Sequence, residues 1–337
     1  MKLKPILRVL ITVLLLGLIL GSVDLSALLS TLMSIPAWVA ILVVGGYLLG
    51  QVISAGKWWL IAKAGDIDVS YPKALKAYFI GMFANFFGLG LVGGDLARAM
   101  LLSKGQTHKT PAFASVVADR AHGLGTLALI GVVAALCFGR ASIDTQLLLL
   151  IGAIGFGIVA FWFLGPATLL AILPKSFPFR SKIEQTLQVF PKSLGSVTLL
   201  TLISVAFHIL QIGLHFAIAL SFGSEVSFAY LLMAIPIVNI LSSLPISWNG
   251  LGVRENGYMF FLAPTYLSAE QAFAMGAIWL LAVTTSSLVG GLIALFTNEI
   301  PTLLKRPLES KPTSETSTPS NPTSAQQKES FDKVLNA

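Results

Sequence analysis

Long apolar runs separated by short polar connectors organise the chain. Six of them, at 5–23, 37–55, 111–139, 145–174, 194–222 and 271–297, carry few or no charges over about 20 residues or more. That is the length at which a helix rising 1.5 Å per residue crosses roughly 30 Å of hydrocarbon. Two further apolar segments, 77–94 and 227–253, end among helix breakers. Gly88, Gly90, Gly93 and Gly94 crowd the first, and Pro245, Asn249, Gly250 and Gly252 the second.

The distribution of basic residues decides how those two segments are read. If all eight segments crossed the bilayer, Arg98, Lys104, Lys109, Lys175, Arg180, Lys182, Lys192 and Arg254 would lie opposite the N-terminus, against the positive-inside bias of short loops. If 77–94 and 227–253 enter and return on the same side, only Arg140 and Arg254 of the 22 Lys and Arg fall on the non-cytoplasmic half. The sequence therefore predicts an all-α integral membrane protein, a polytopic helical bundle with six full spans and two re-entrant hairpins. It would sit in the cell (inner) membrane with both termini cytoplasmic. Two spans, a hairpin and a span occur twice in succession, which predicts an inverted repeat of residues 1–140 and 141–300. Such repeats with broken helices are a recurrent transporter plan. Irregular backbone at membrane depth needs protein or a water-filled cavity to satisfy it, so each hairpin tip is expected to line a cavity.

Composition agrees with this class. Of 337 residues, 55% are hydrophobic and 11% charged, with a mean hydropathy of +0.83, whereas soluble domains carry about 25% charged residues. No soluble domain fits between the spans. Residues 1–27 resemble a secretory signal, with Lys2, Lys4 and Arg8 before an apolar run, but an uncleaved first helix suits the membrane character of everything that follows. Residues 301–337 are rich in Ser, Thr and Pro and read as a disordered cytoplasmic tail. The formal charge of +7 points to an anionic membrane surface, and no basic reading surface with interleaved aromatics suggests nucleic acid. The lone Cys137 excludes an intramolecular disulfide framework and a Cys-based zinc site.

Gly88-Leu-Gly90-Leu-Val-Gly93 satisfies a dinucleotide-binding fingerprint, yet that motif has meaning only between a strand and a helix of a βαβ unit. Here it reads as a hairpin tip. Charges follow each tip: Asp95 and Arg98 in "GGDLAR", Arg254 and Glu255 in "NGLGVRE". A charge deep in the membrane costs at least about 2.5–3.5 kcal/mol, so such residues are usually paired or functional. Two readings stand side by side. In one, ion pairs fasten each hairpin to its neighbours; in the other, Arg98 and Arg254 present guanidinium forks to a phosphate, with Asp95 and Glu255 orienting them. Asp119 and Arg120 in "ADRAHG" add a charged pair, with Asp119 a partner for Arg98 or a carrier of a coupling proton, and His122 an interfacial side chain.

His208, Gln211 and His215 share one face of the sixth segment. Two histidines seven residues apart stand about 10 Å apart along the helix, too far to share a metal without other ligands. Interhelical hydrogen bonding or a cavity wall explains the stripe. Lys57, Trp58 and Trp59 in "GKWWLIAK" read as interfacial anchors. No H-E-x-x-H, G-x-S-x-G or Walker A sequence occurs, so neither an enzyme nor a cofactor or metal site is expected.

At "GGDLARAMLLS", "ADRAHGLGTLAL" and "LPISWNGLGVRE" the chain resembles the transmembrane family named after the membrane region of lysylphosphatidylglycerol synthase, over roughly residues 10–298. The resemblance implies a lipid-handling domain, in some members a flippase moving aminoacylated phosphatidylglycerol between leaflets. It implies Asp95, Arg98, Asp119, Arg120, Arg254 and Glu255 as substrate-binding residues. A short polar tail after Thr297 stands where a soluble aminoacyl-transfer domain would follow, so lipid synthesis is not expected. The expectation is thus a transporter or flippase for a phospholipid or polyprenyl-phosphate-linked lipid, with an anionic or glycosylated lipid and the bilayer as partners and a homo-oligomer permitted. A lipid head-group enzyme or subunit, or a membrane scaffold, is the alternative.

Overall fold

The computed structural model describes residues 10–17, 21, 24–106, 110–139, 145–177, 180, 183–184, 187, 189–190, 193–263 and 265–299. Regular structure among them is helical. Residues 10–17 are helical, followed by α1 (Leu25–Ser34), α2 (Ala37–Ala64), α3 (Tyr71–Phe83), a π-helical segment (Ala84–Leu89) and α4 (Gly90–Leu102). Then come α5 (Thr110–Phe138), α6 (Thr145–Ile172), α7 (Leu194–Ser221), α8 (Phe228–Ser243), a 3-10 turn (Trp248–Gly250), α9 (Val253–Leu262) and α10 (Ala269–Phe296).

Local sequence sets the ends of these elements. The Asp24 carboxylate caps α1 by accepting from the Ser26 N–H at 2.7 Å and the Ala27 N–H at 3.1 Å. The extended Ile35 before Pro36 closes it. Ser70 precedes α3, with Pro72 in the first turn where no N–H is needed. Ser227 caps α8 through the Tyr230 N–H at 3.2 Å.

Four helices among the described residues are long and apolar enough to cross a membrane: Ala37–Ala64, Thr110–Phe138, Leu194–Ser221 and Ala269–Phe296. The all-α membrane class therefore holds, but six full spans with two re-entrant hairpins in an inverted repeat do not. The expected span 5–23 lies only partly within the described residues, and α6, although 28 residues long, is not among the four. Segments 77–94 and 227–253 belong to helices of 13, 13, 16 and 10 residues. At 1.5 Å per residue these extend about 20, 20, 24 and 15 Å, short of the hydrocarbon thickness. Their apolar character serves the protein interior as well: Ala74, Ala77, Phe79 and Ile80 of α3 and Leu231, Ala234, Ile235 and Val238 of α8 are buried. Hydropathy marks where apolar side chains are needed without saying whether lipid or protein covers them.

The glycines around residue 90 do not break the chain into a loop, since Gly90, Gly93 and Gly94 lie in α4. The chain reverses before them, in the π-helical segment. Gly81 and Gly94 are 13 residues apart, about 20 Å along a straight helix, yet a Cβ on Gly81 would stand 2.9 Å from the Arg98 Cβ and 3.0 Å from the Gly94 carbonyl oxygen. Their missing side chains let α3 and α4 pack backbone to backbone. The helix pair α8 and α9 closes in the same way, with a Cβ on Gly257 falling 2.9 Å from the Val238 side chain. Its connection needs left-handed backbone at Asn249 (φ 52°), Gly250 (φ 75°) and Gly252 (φ 80°), which explains the glycines there.

The chain divides into two compact units. One is drawn from Met1–Ser54, Arg120–Ile172 and Thr201–Ser287, the other from Ala55–Asp119, Leu173–Leu200 and Leu288–Ala337. The core of the first includes Val39, Val43, Ile212, Ile218, Leu231, Ile235, Tyr258, Leu262, Met275 and Trp279. Trp58, Ile67, Ala77, Ile80, Leu101, Leu102 and Val116 form the core of the second.

Candidate functional site

Each unit buries an arginine beside carboxylates. In the second, Arg98 lies on the α4 face turned toward α3, where Gly81 makes room for its stem. Its Nε donates to Asp95 Oδ1 at 3.2 Å and its Nη1 to Asp119 Oδ2 at 3.1 Å. Lys57 Nζ stands 3.0 Å from Asp119 Oδ1 and donates to the Asp119 carbonyl oxygen at 3.3 Å. Two cations and two carboxylates leave the cluster neutral. Arg98, Asp119 and Lys57 are 4%, 5% and 5% exposed, so the group is nearly dry, and pairing is what makes such burial tolerable.

Aromatic rings complete the surroundings. The guanidinium carbon of Arg98 stands 4.9 Å from the Trp58 ring and 5.2 Å from the Tyr78 ring. Trp58 Nε1 is held by the Ser115 hydroxyl at 3.1 Å, which itself donates to the Ala112 carbonyl at 2.8 Å. Cation–π attraction of this kind is strongest where water is excluded. One group is left over: Arg98 Nη2 is buried and has no hydrogen-bond partner.

In the first unit, Arg254 and Glu255 occupy the first turn of α9 and are buried. Glu255 Oε2 accepts the Gly252 N–H at 2.6 Å at the helix start, the reach-back half of a capping box whose N-cap glycine has no side chain for the other half. Its other oxygen meets Arg254 Nε at 3.4 Å. Gly276 on α10 makes room for this carboxylate, since a Cβ there would lie 2.7 Å from the Glu255 Cγ. Glu255 is thus fixed chiefly by backbone, and Arg254 engages it through Nε alone, leaving the two terminal nitrogens of its fork unused by protein among the described residues.

Asp95, Arg98 and Asp119 therefore come together, Arg254 and Glu255 form a second centre, and Arg120 is half-buried. Asp119 does pair with Arg98. Lys57 and Trp58 are a different matter: they belong to the Arg98 centre and are not interfacial anchors, while Trp59, half-buried and bonded to the Val69 carbonyl at 2.9 Å, suits that role. The signal was a lysine seven residues inside the end of a long apolar helix, too deep to be solvated without a carboxylate.

The polar stripe of α7 works between helices. His208 Nε2 meets the Gly123 carbonyl at 3.0 Å, and the buried His122 Nε2 meets Thr201 Oγ1 at 3.2 Å. His215 Nδ1 faces the Gln211 carbonyl at 2.8 Å, so it must donate, and Nε2 then accepts from the Tyr258 hydroxyl at 2.6 Å. Its ring also stacks on Trp279 at 3.9 Å. Among the described residues no group of three His, Cys, Asp or Glu could hold a metal ion.

These elements, a helical membrane domain with acid-paired arginines on "GGDLAR" and "GVRE", lie within a region, residues 6–291, that matches the family described as "Lysylphosphatidylglycerol synthase TM region". The chain belongs to that family. No curated protein and no solved structure matches it. Membership of the lysylphosphatidylglycerol synthase TM family makes this a multi-pass integral membrane protein and supports a lipid-translocating role, of the transporter or flippase kind, with a lipid as partner. The matched part corresponds to the transport module of the family and not to its catalytic synthase domain.

Proposed function

We propose that residues 1–300 form a lipid-handling domain that moves an anionic or glycosylated lipid, a phospholipid or a polyprenyl-phosphate-linked lipid, from one leaflet to the other. Asp95, Arg98, Asp119, Arg120, Arg254 and Glu255 bind its head group. The observation that carries this reading is the unused guanidinium. Arg98 keeps a buried terminal nitrogen with no acceptor, and Arg254, also buried, meets Glu255 through Nε. A buried donor without an acceptor costs about 1–3 kcal/mol, more when charged. A phosphate oxygen supplies the missing acceptor, and Arg binds it through two parallel bonds.

The carboxylates have a second task in this reading. Asp95 and Asp119 neutralise Arg98 between encounters, and Lys57 keeps Asp119 satisfied when Arg98 turns to the ligand. Both chain ends face the cytoplasm, as Lys2, Lys4 and Arg8 before the first apolar run and Lys305 and Arg306 after the last suggest.

The test is reconstitution of the full chain in liposomes carrying phosphatidylglycerol with a fluorescent head-group-proximal acyl label. An impermeant quencher added outside reads the exposed fraction over time. Transfer faster than in protein-free vesicles is expected. Unchanged transfer with labelled phosphatidylglycerol, phosphatidic acid and a short polyprenyl phosphate would rule the proposal out.

A further inference from the structure

Helix α7 carries Thr201, Ser204, His208, Gln211 and His215 at successive steps of three, four, three and four residues. They fall on one face and cover about 21 Å of helix rise, the greater part of a membrane crossing. All five belong to the same compact unit. His122 meets the stripe at Thr201, the Gly123 carbonyl meets it at His208, and Tyr258 meets it at His215. Ser204 and Gln211 differ. The Ser204 hydroxyl and both ends of the Gln211 amide are buried with no hydrogen-bond partner, in residues only 1% and 4% exposed.

An unsatisfied amide is a poor choice for holding helices together. Leucine of nearly equal volume would pack there without the cost of burying unpaired polar groups. The surroundings are nevertheless shaped for glutamine. A Cβ on Gly50 of α2 would overlap the Gln211 Nε2, and would lie 3.3 Å from the Phe207 ring. The absence of a side chain at residue 50 is what admits the amide.

We propose that Ser204 and Gln211 form a second ligand site, one for the uncharged, hydroxyl-bearing part of a lipid head group. The amide offers a donor and an acceptor side by side, and the serine hydroxyl offers either, about two turns away along the same face, a rise of about 10 Å. An alcohol group, which both donates and accepts, answers them; a bare phosphate, which only accepts when ionised, leaves the Gln211 oxygen unpaired. The glycerol of phosphatidylglycerol and the sugar of a glycolipid share that chemistry. The inference rests on the proposed lipid-handling function and adds what it lacks, a determinant of head-group identity separate from the arginines.

The test uses the full chain in detergent and measures binding of three short-chain lipids by native mass spectrometry. Dioctanoyl phosphatidylglycerol has phosphate and hydroxyls, dioctanoyl phosphatidic acid has phosphate alone, and monoglucosyl dioctanoylglycerol has hydroxyls alone. Wild type is expected to prefer phosphatidylglycerol to phosphatidic acid. Gln211→Leu is expected to weaken phosphatidylglycerol and the glucolipid about tenfold, the loss expected of a neutral hydrogen bond, with phosphatidic acid unchanged. Arg254→Met should instead weaken both phosphate lipids and spare the glucolipid. Should Gln211→Leu fail to fold, Ser204→Ala and Gly50→Ala, which crowds the amide, must show the same selective loss. Equal affinities in wild type, no binding of any of the three, or Gln211 and Ser204 variants that keep the wild-type ratio would overturn the site and leave the stripe as packing or a water position. Such a result with liposome transfer intact overturns this inference alone, whereas absence of transfer overturns the proposed function.

Discussion

Arg98 and Asp119 meet across α4 and α5, Nη1 to Oδ2 at 3.1 Å, and the other oxygen of the same carboxylate holds Lys57 at 3.0 Å. One aspartate therefore pairs with two buried cations, and Asp95 supplies the second negative charge. Asp119→Ala should strand Lys57, leave Arg98 with Asp95 alone, and cost about 3–5 kcal/mol, the range for breaking a buried pair from one side. Asp95, less deeply buried, shares Arg98 with Asp119, so Asp95→Asn should cost less. Thermal unfolding of the three proteins in one detergent checks the order. An equal or larger fall in Tm for Asp95→Asn would show that the cluster is organised around a different residue. Lys57→Met combined with Asp119→Asn should recover part of the loss, because one cation and its carboxylate leave together.

Much of this centre was legible in the sequence. Charges set into apolar segments are rare enough that Asp95, Arg98, Asp119, Arg254 and Glu255 stood out, and pairing of Asp119 with Arg98 followed from the need of each for a partner. Lys57 was hidden because lysine and tryptophan near a helix end have an ordinary interfacial explanation, and only tertiary packing shows that this lysine points inward. The span count failed for a related physical reason. Of the six expected spans, 5–23 lies partly outside the described residues and 145–174, helix α6, is not among the four long apolar helices, and hydropathy does not separate protein-covered from lipid-covered faces. The glycine cluster at residues 88–94 marked a special backbone correctly and its purpose wrongly. Gly94 is there for close packing.

Gly94→Ala tests that role. A Cβ at residue 94 would collide with the Asn85 side chain and with the Gly81 carbonyl oxygen, and the carbonyl, being backbone, cannot swing aside. Forced separation of α3 from α4 should cost about 1–3 kcal/mol as overpacking does. It should also displace Arg98, whose stem lies against Gly81. A Gly94→Ala protein with wild-type Tm would contradict the close helix contact.

Glu299 fastens the segment that follows α10. It pairs with Lys76 at 3.2 Å and with Lys104, tying the residues after α10 to α3 and to the end of α4. Truncation after Arg306 keeps this contact and removes a polar segment with little to bury, so Tm and lipid transfer should both be unchanged. Glu299→Ala removes a largely buried carboxylate from two lysines and should lower Tm where the truncation does not. The reverse ranking would show that the tail packs on the membrane domain.

The central claim is that Arg98 and Arg254 act as phosphate ligands and not merely as counter-ions of their carboxylates. The most direct measurement is transfer of labelled phosphatidylglycerol in liposomes by Arg98→Lys, Arg254→Lys and the double change Arg254→Met with Glu255→Gln, each with Tm determined on the same preparation. The account predicts that both lysine variants fold yet lose at least about tenfold in transfer rate, since an ammonium keeps the charge but not the bidentate fork. It predicts that the double variant is stable, because the capping amide at residue 255 is an acceptable partner for the Gly252 N–H, and inactive. A double variant that is both stable and fully active, or lysine variants that transfer lipid at the wild-type rate, would contradict it.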